Sequence, residues 1–66
     1  MDLNLFLLEI WESDFQGKHY KMFRFIDKQS LTIINGTDLQ GNLKVGQTYK
    51  CNVIYKNKGL KVVSAE

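Results

Sequence analysis

The sequence predicts an all-β fold, a small antiparallel barrel of five strands formed by residues 1–66 as a single domain. Short runs rich in apolar and β-branched residues recur along the chain, separated by clusters of Gly, Asn, Asp and Ser, which is typical of small β-barrels and sandwiches. Residues 47–56 alternate cleanly between apolar and polar side chains. Asn57-Lys58-Gly59 then gives a tight hairpin signal.

The first predicted strand runs from Leu3 to Glu12 and is apolar on both faces. One face would carry Leu3, Leu5, Leu7 and Trp11, and the other Phe6, Leu8 and Ile10. A helix competes with this interpretation, because Leu and Glu favour helices. We expect a strand because no capping residues flank the segment. A strand covered on both faces suits a long, bent strand shared by two sheets.

The second predicted strand spans residues 19–26 and follows a turn at residues 13–18. Phe23 and Phe25 share one face of this strand, so they are the expected core pair. The opposite face would carry the alternate residues, Tyr20, Met22 and Arg24.

The centre of the chain predicts a hairpin followed by an irregular connection. A loop at residues 27–30 leads into a third strand at residues 31–35. Residues 36–46 are expected to contain no helix of normal length, because Gly41 interrupts their one helix-compatible stretch.

The last two predicted strands form a hairpin. Strand four covers residues 47–56 and strand five covers residues 60–64. Gly59 is expected at the left-handed position of the turn between them. One face of strand four would carry Tyr49, Cys51, Val53 and Tyr55.

Charge is unevenly distributed along the chain, although the net charge is only +2. Residues 1–16 hold four acidic side chains and no Lys or Arg, whereas residues 39–65 hold five lysines and no acid. A small fold with a basic side and several aromatic residues is a candidate for binding a polyanion.

Three stretches resemble an OB-fold: the two-faced segment 3–11, Phe-Arg-Phe-Ile-Asp at 23–27 and Leu-Lys-Val-Gly-Gln-Thr-Tyr at 43–49. They are similar to stretches of the small OB-fold single-stranded-DNA-binding proteins of phages and bacterial mobile elements. The resemblance implies binding of single-stranded DNA or RNA without sequence preference, in phage or mobile-element DNA replication or recombination. An SH3-like barrel is the alternative fold, because the helix usual between OB strands three and four is missing here. The acidic tail common in bacterial single-strand binders is missing too.

The predicted binding residues fall into an aromatic and a basic group. Trp11, Phe15, Tyr20 and Arg24 are the stacking and clamping candidates, since aromatic rings and guanidinium groups stack on bases. The alternative for these residues is packing, or for Arg24 a solvated outer face. Phosphate contacts are expected from Lys18, Lys50, Lys56, Lys58 and Lys61. Lysines also guard exposed strand edges against aggregation, which is the alternative for this group.

No residue pattern predicts an enzyme, a cofactor or a metal site. His19 has no evident nucleophile beside it, and Cys51 fits a buried small hydrophobe better than a reactive thiol. The segment 3–11 is too short to span a bilayer and lacks a positively charged start, so we expect a complete, cytoplasmic protein with no membrane partner.

A competing functional hypothesis is a protein-interaction module, an adaptor or inhibitor encoded by a phage or mobile element. This hypothesis is based on the modest net charge and on the acidic, apolar opening segment. A replication protein would be a fitting partner, and the thin core is compatible with a homodimer.

Overall fold

The computed structural model describes residues 1–66 and shows five strands closed into a barrel. The strands are β1 (Asp2–Phe15), β2 (Lys18–Asp27), β3 (Thr32–Thr37), β4 (Thr48–Lys56) and β5 (Gly59–Ala65). The chain forms no helix, and hence no helical segment that could cross a membrane. The predicted all-β fold and the count of five strands are confirmed.

The strands are connected in a Greek-key order. Around the barrel they follow β1-β2-β3-β5-β4, so β5 is inserted between β3 and β4. This is the order of an OB-type barrel, in contrast to a meander in which β3 would pair with β4. The β3–β5 pair is parallel, through Asn35 with Lys61 and Gly36 with Val62, and the other pairs are antiparallel. The predicted antiparallel pairing therefore holds for every pair except this one.

β1 is long and bent, as predicted, and serves both halves of the barrel. Residues 2–6 pair with β4 and residues 6–15 pair with β2. A bulge between Leu7 and Glu9 shifts the register by one residue. Such a shift exchanges the two faces of a strand, so Trp11 points outward although Leu5 and Leu7 are buried inside. The prediction that Trp11 shares a face with Leu5 and Leu7 is wrong for this reason.

The core is small and draws on every strand. The predicted pair, Phe23 and Phe25, is fully buried, with ring centroids 6.5 Å apart. The buried apolar residues are Leu5, Leu7, Phe23, Phe25, Ile34, Leu39, Cys51, Val53 and Val62.

Two tight turns differ from the predicted ones. Gln16 and Gly17, with φ of 52° and 78°, form the turn between β1 and β2 alone, so the predicted turn at residues 13–18 is too long. Asn57 and Lys58, with φ of 54° and 65°, form the turn between β4 and β5. Positive φ at both central residues is the geometry of two-residue hairpins. Gly59 is therefore the first residue of β5, and its predicted left-handed position is wrong.

The connection between β3 and β4 contains no helix, as expected. β3 begins at Thr32 because Leu31, with φ of 61°, still belongs to the preceding turn, and β3 continues to Thr37, beyond the predicted end. Asp38 then fastens the connection to β2: its backbone N–H donates to the Lys21 carbonyl at 2.7 Å, and its carboxylate accepts from the Lys21 N–H at 2.8 Å.

Candidate nucleic-acid interface

The hairpin of β1 and β2 carries the predicted stacking residues on one side. Cross-strand partners in the ladder share a face, and Trp11 lies opposite Met22, while Phe15 lies opposite Lys18. Alternation along each strand gives the rest of this surface, which we call the outer hairpin face. It consists of Glu9, Trp11, Ser13, Phe15, Lys18, Tyr20, Met22 and Arg24.

Trp11 and Arg24 are in direct contact at the centre of this face. The guanidinium carbon of Arg24 lies 4.8 Å from the centroid of the Trp11 ring. Arg24 Nη1 also donates to Glu9 Oε1, and both side chains are about half exposed. A cation–π contact at an exposed site contributes about 0.5–1 kcal/mol, and an exposed ion pair contributes about 0–1 kcal/mol. These contacts orient Arg24 more than they stabilise the fold.

The tip of the same hairpin presents an exposed aromatic ring. The Phe15 side chain is 63% exposed, and Lys18 lies opposite it in the ladder. Tyr20, half-buried, follows on the same face. An exposed ring beside an ammonium group can stack on a base while the cation contacts its phosphate.

The outer surface continues from the hairpin onto β3 and β5. Arg24 pairs with Asn35 of β3, and Asn35 pairs with Lys61 of β5. Since neighbouring strands lie about 4.8 Å apart, the backbones of Arg24 and Lys61 are about 10 Å apart in one row. Lys61 thus belongs to the same surface as Arg24. The position of Asn35 between them was missed from the sequence, because the parallel β3–β5 pairing has no local signal.

The remaining predicted lysines lie elsewhere. Lys56 and Lys58 are in the β4–β5 hairpin, and Lys58 lies about 10 Å from Lys61, just before the N-terminal end of β5. This hairpin extends past the N-terminal end of β1, whereas Trp11 is in the C-terminal half of β1. Lys50 of β4 pairs with Asn4 of β1, and neither of these strands is a neighbour of β3 in the barrel. The structure therefore does not bring Lys50, Lys56 or Lys58 into contact with Trp11.

Tyr55 is a candidate that the sequence analysis overlooked. Its alternation with Val53 suggested an inward position, but the core ends at Val53 and the Tyr55 side chain is 72% exposed. Its neighbour in sequence is Lys56. Each of the two long hairpins thus presents a highly exposed ring close to its turn. The available signal was the Tyr-Lys-Asn-Lys run at residues 55–58, where the strand approaches its turn.

His19 lies on the other face of the β1–β2 hairpin, away from Trp11. Its Nε2 is 3.1 Å from Glu12 Oε1 and its Nδ1 is 2.7 Å from Asp14 Oδ1. The hydrogen bonds to Glu12 and then Asp14 raise the pKa of His19 above its ordinary value. His19 therefore connects two carboxylates of β1 to β2 when it is protonated.

Cys51 is completely buried, as predicted. Burial raises the pKa of its thiol to about 11, so the group is neutral at physiological pH. Its Sγ lies 3.6 Å from the Tyr49 carbonyl oxygen. These properties are those of a core side chain.

The surface that stands out is therefore the outer hairpin face with its continuation through Asn35 to Lys61. It combines rings of different exposure with an arginine and flanking lysines on an OB-type barrel. Comparison with family models, with curated proteins and with solved structures finds no match for this chain.

Proposed function

We propose that this protein binds single-stranded DNA, or RNA of the same single-stranded form, with little sequence preference. The observation that carries the proposal is the outer hairpin face, where Trp11, Tyr20 and Arg24 share one surface with Phe15 and Lys18 at its tip. In OB-type barrels the outer surface of strands two and three, bordered by the β1–β2 and β4–β5 loops, accommodates oligonucleotides.

Binding would depend on stacking, because every base has a flat face whatever its identity. Each base stacked on an aromatic ring contributes about 1–3 kcal/mol. Phe15 is open on the surface, and Trp11 and Tyr20 retain partial exposure. Two or three stacked bases would supply most of the affinity and little discrimination among sequences.

Phosphate contacts would come from lysines at the two ends of the surface. Lys18 borders the rings at one end, and Lys61 begins a basic path that continues to Lys56 and Lys58. With three to five phosphate contacts, the slope of log K against log salt concentration would be about −2 to −3.5. A nucleic-acid strand that lies across β2, β3 and β5 would contact the lysines at both ends of the surface, so these lysines need not be close to each other.

Fluorescence anisotropy with a labelled oligo-dT tests the proposal. We expect binding in low salt, weakening at moderate salt, with quenching of Trp11 emission as a base approaches its ring. Duplex DNA of equal length is the control and should bind more weakly. Absence of binding to oligo-dT at about 10 µM protein in low salt would reject the proposal, because even non-specific binders reach this range.

A protein-interaction role is the second candidate, and the β4–β5 hairpin favours it. Tyr55 and Leu60 are cross-strand partners there, and they are 72% and 36% exposed. Exposed apolar side chains that cluster often mark a docking surface. Recovery of a stoichiometric protein after nuclease treatment would support this role, and a replication protein of a phage or mobile element is the partner we would look for first.

A further inference from the structure

One acidic residue lies within the proposed binding face. Among the outward residues of the β1–β2 hairpin, Glu9 alone carries a negative charge, whereas Glu12 and Asp14 point to the opposite face. Glu9 is about half exposed and accepts a hydrogen bond from Arg24. A carboxylate at the centre of a polyanion-binding surface opposes phosphate binding, so its position requires an explanation.

The Glu9 contact neutralises the one cation at the centre of the face. Arg24 keeps its position over Trp11 at 4.8 Å, but its charge is already paired. A phosphate approaching Arg24 would have to displace Glu9 or remain close to it. A neutral base meets no such opposition, and it can stack beside the ring and the guanidinium group.

We propose that Glu9 is a selectivity residue, which makes the centre of the face accept bases and reject bare phosphates or sulfates. This inference rests on the proposed function and specifies its ligand class as nucleic acid with unpaired, accessible bases. Phosphates would then be held at the edges, by Lys18 and Lys61, while bases occupy the region of Trp11. Polyanions without bases would lack the central contacts.

The expected effect follows from the charge alone. Removing a negative charge about 7 Å from a phosphate changes affinity by about threefold at the dielectric constant of bulk water and by about fiftyfold at the effective dielectric constant near a protein surface. Because Glu9 is about half exposed, Glu9→Gln should strengthen binding of heparin and of a fully abasic oligonucleotide by about threefold or more. Binding of oligo-dT of the same length should change less, because its phosphates already lie at the edges.

The matched control is Glu12→Gln, which removes the same charge from the opposite face of the same strand. We would measure the affinities of the unmodified protein and of both variants for oligo-dT, the abasic oligonucleotide and heparin in low salt. The decisive quantity is the ratio of oligo-dT affinity to abasic affinity. We expect Glu9→Gln to lower this ratio several-fold and Glu12→Gln to leave it unchanged.

The outcomes separate this inference from the function on which it rests. If the unmodified protein binds oligo-dT but Glu9→Gln and Glu12→Gln give the same ratio, Glu9 has no role in selectivity and the inference fails alone. If the unmodified protein does not bind oligo-dT, both proposals are overturned. Circular dichroism of each variant would check that the substitution leaves the barrel folded.

Discussion

Gly36→Ala tests the closure of the barrel between β3 and β5. These strands pair through only two residue pairs, and Gly36 with Val62 is one of them. A Cβ at position 36 would lie 3.0 Å from Leu39 Cδ1, 3.1 Å from the Val62 carbonyl oxygen and 3.2 Å from Val62 Cβ. The Leu39 methyl can move, but the backbone oxygen of Val62 is fixed in the sheet. The substitution must therefore separate the two strands slightly.

The magnitude follows from the cost of overpacking. Forcing an extra carbon into a close-packed core costs about 1–3 kcal/mol. For a domain of this size, 1 kcal/mol corresponds to about 4–8 °C in Tm, so Gly36→Ala should lower Tm by about 5–20 °C. Thermal unfolding, monitored by circular dichroism at about 218 nm, measures this shift, because β-structure gives its signal near that wavelength.

Gly59→Ala is the matched control. Gly59 also lies in a strand and has no positive φ, and a Cβ at position 59 would have no neighbouring atom within 4 Å. Replacing Gly by Ala at such a site stabilises by about 0.4–1 kcal/mol, because the unfolded chain loses freedom. Equal Tm values for the two variants would contradict the close approach of β3 and β5, and with it the placement of Lys61 beside Asn35.

Four further predictions concern single side chains. Trp11→Ala should weaken oligo-dT binding by about 1–3 kcal/mol, roughly 5- to 150-fold in Kd by anisotropy, and an unchanged Kd would exclude stacking on this ring. Lys61→Ala should reduce the salt slope by about 0.7, the contribution of one phosphate contact to a single strand, whereas an unaltered slope would remove Lys61 from the interface. The pKa of His19 is raised in the folded state, so its stabilising contribution is complete below the unfolded value and is lost as pH rises through the folded value. The Tm difference between the unmodified protein and His19→Gln should thus be larger at about pH 6 than at about pH 8, and a difference independent of pH would show that the contacts with Glu12 and Asp14 are not formed. The Cys51 thiol, with its pKa raised to about 11, should react with a thiol reagent only after unfolding, and rapid reaction of the native protein at neutral pH would contradict its burial.

Local chemistry explains the parts of the fold that the sequence predicts well. The alternation around Phe23 and Phe25 depends only on strand geometry, and so does that of Cys51 and Val53, and all four are buried as expected. The hairpin signals located both tight turns to within a few residues. The β4–β5 turn is shorter than predicted. Asn57 and Lys58 themselves adopt the positive φ that was expected of Gly59, the residue that follows them.

Long-range pairing explains what the sequence did not predict. The parallel contact of β3 with β5 joins segments about 26 residues apart, Asn35 and Lys61, and no local pattern encodes it. Asn35 and Lys61 were therefore not recognised as neighbours of Arg24. Tyr55 was misplaced for a related reason, since alternation gives the direction of a side chain but not the point at which the core ends.

The bulge in β1 links the two-faced pattern of the first strand to the proposed site. In an unbroken strand, Trp11 would share the face of Leu5 and Leu7 and would compete for a core already filled by Phe23 and Phe25. The additional residue between Leu7 and Glu9 reverses the faces, so the later half of β1 presents Trp11 outward. The same shift aligns Glu9 with Arg24 in the ladder. One irregularity in β1 thus brings Trp11 into contact with Arg24. It also places beside them Glu9, the acidic residue that we propose governs which ligands reach this contact.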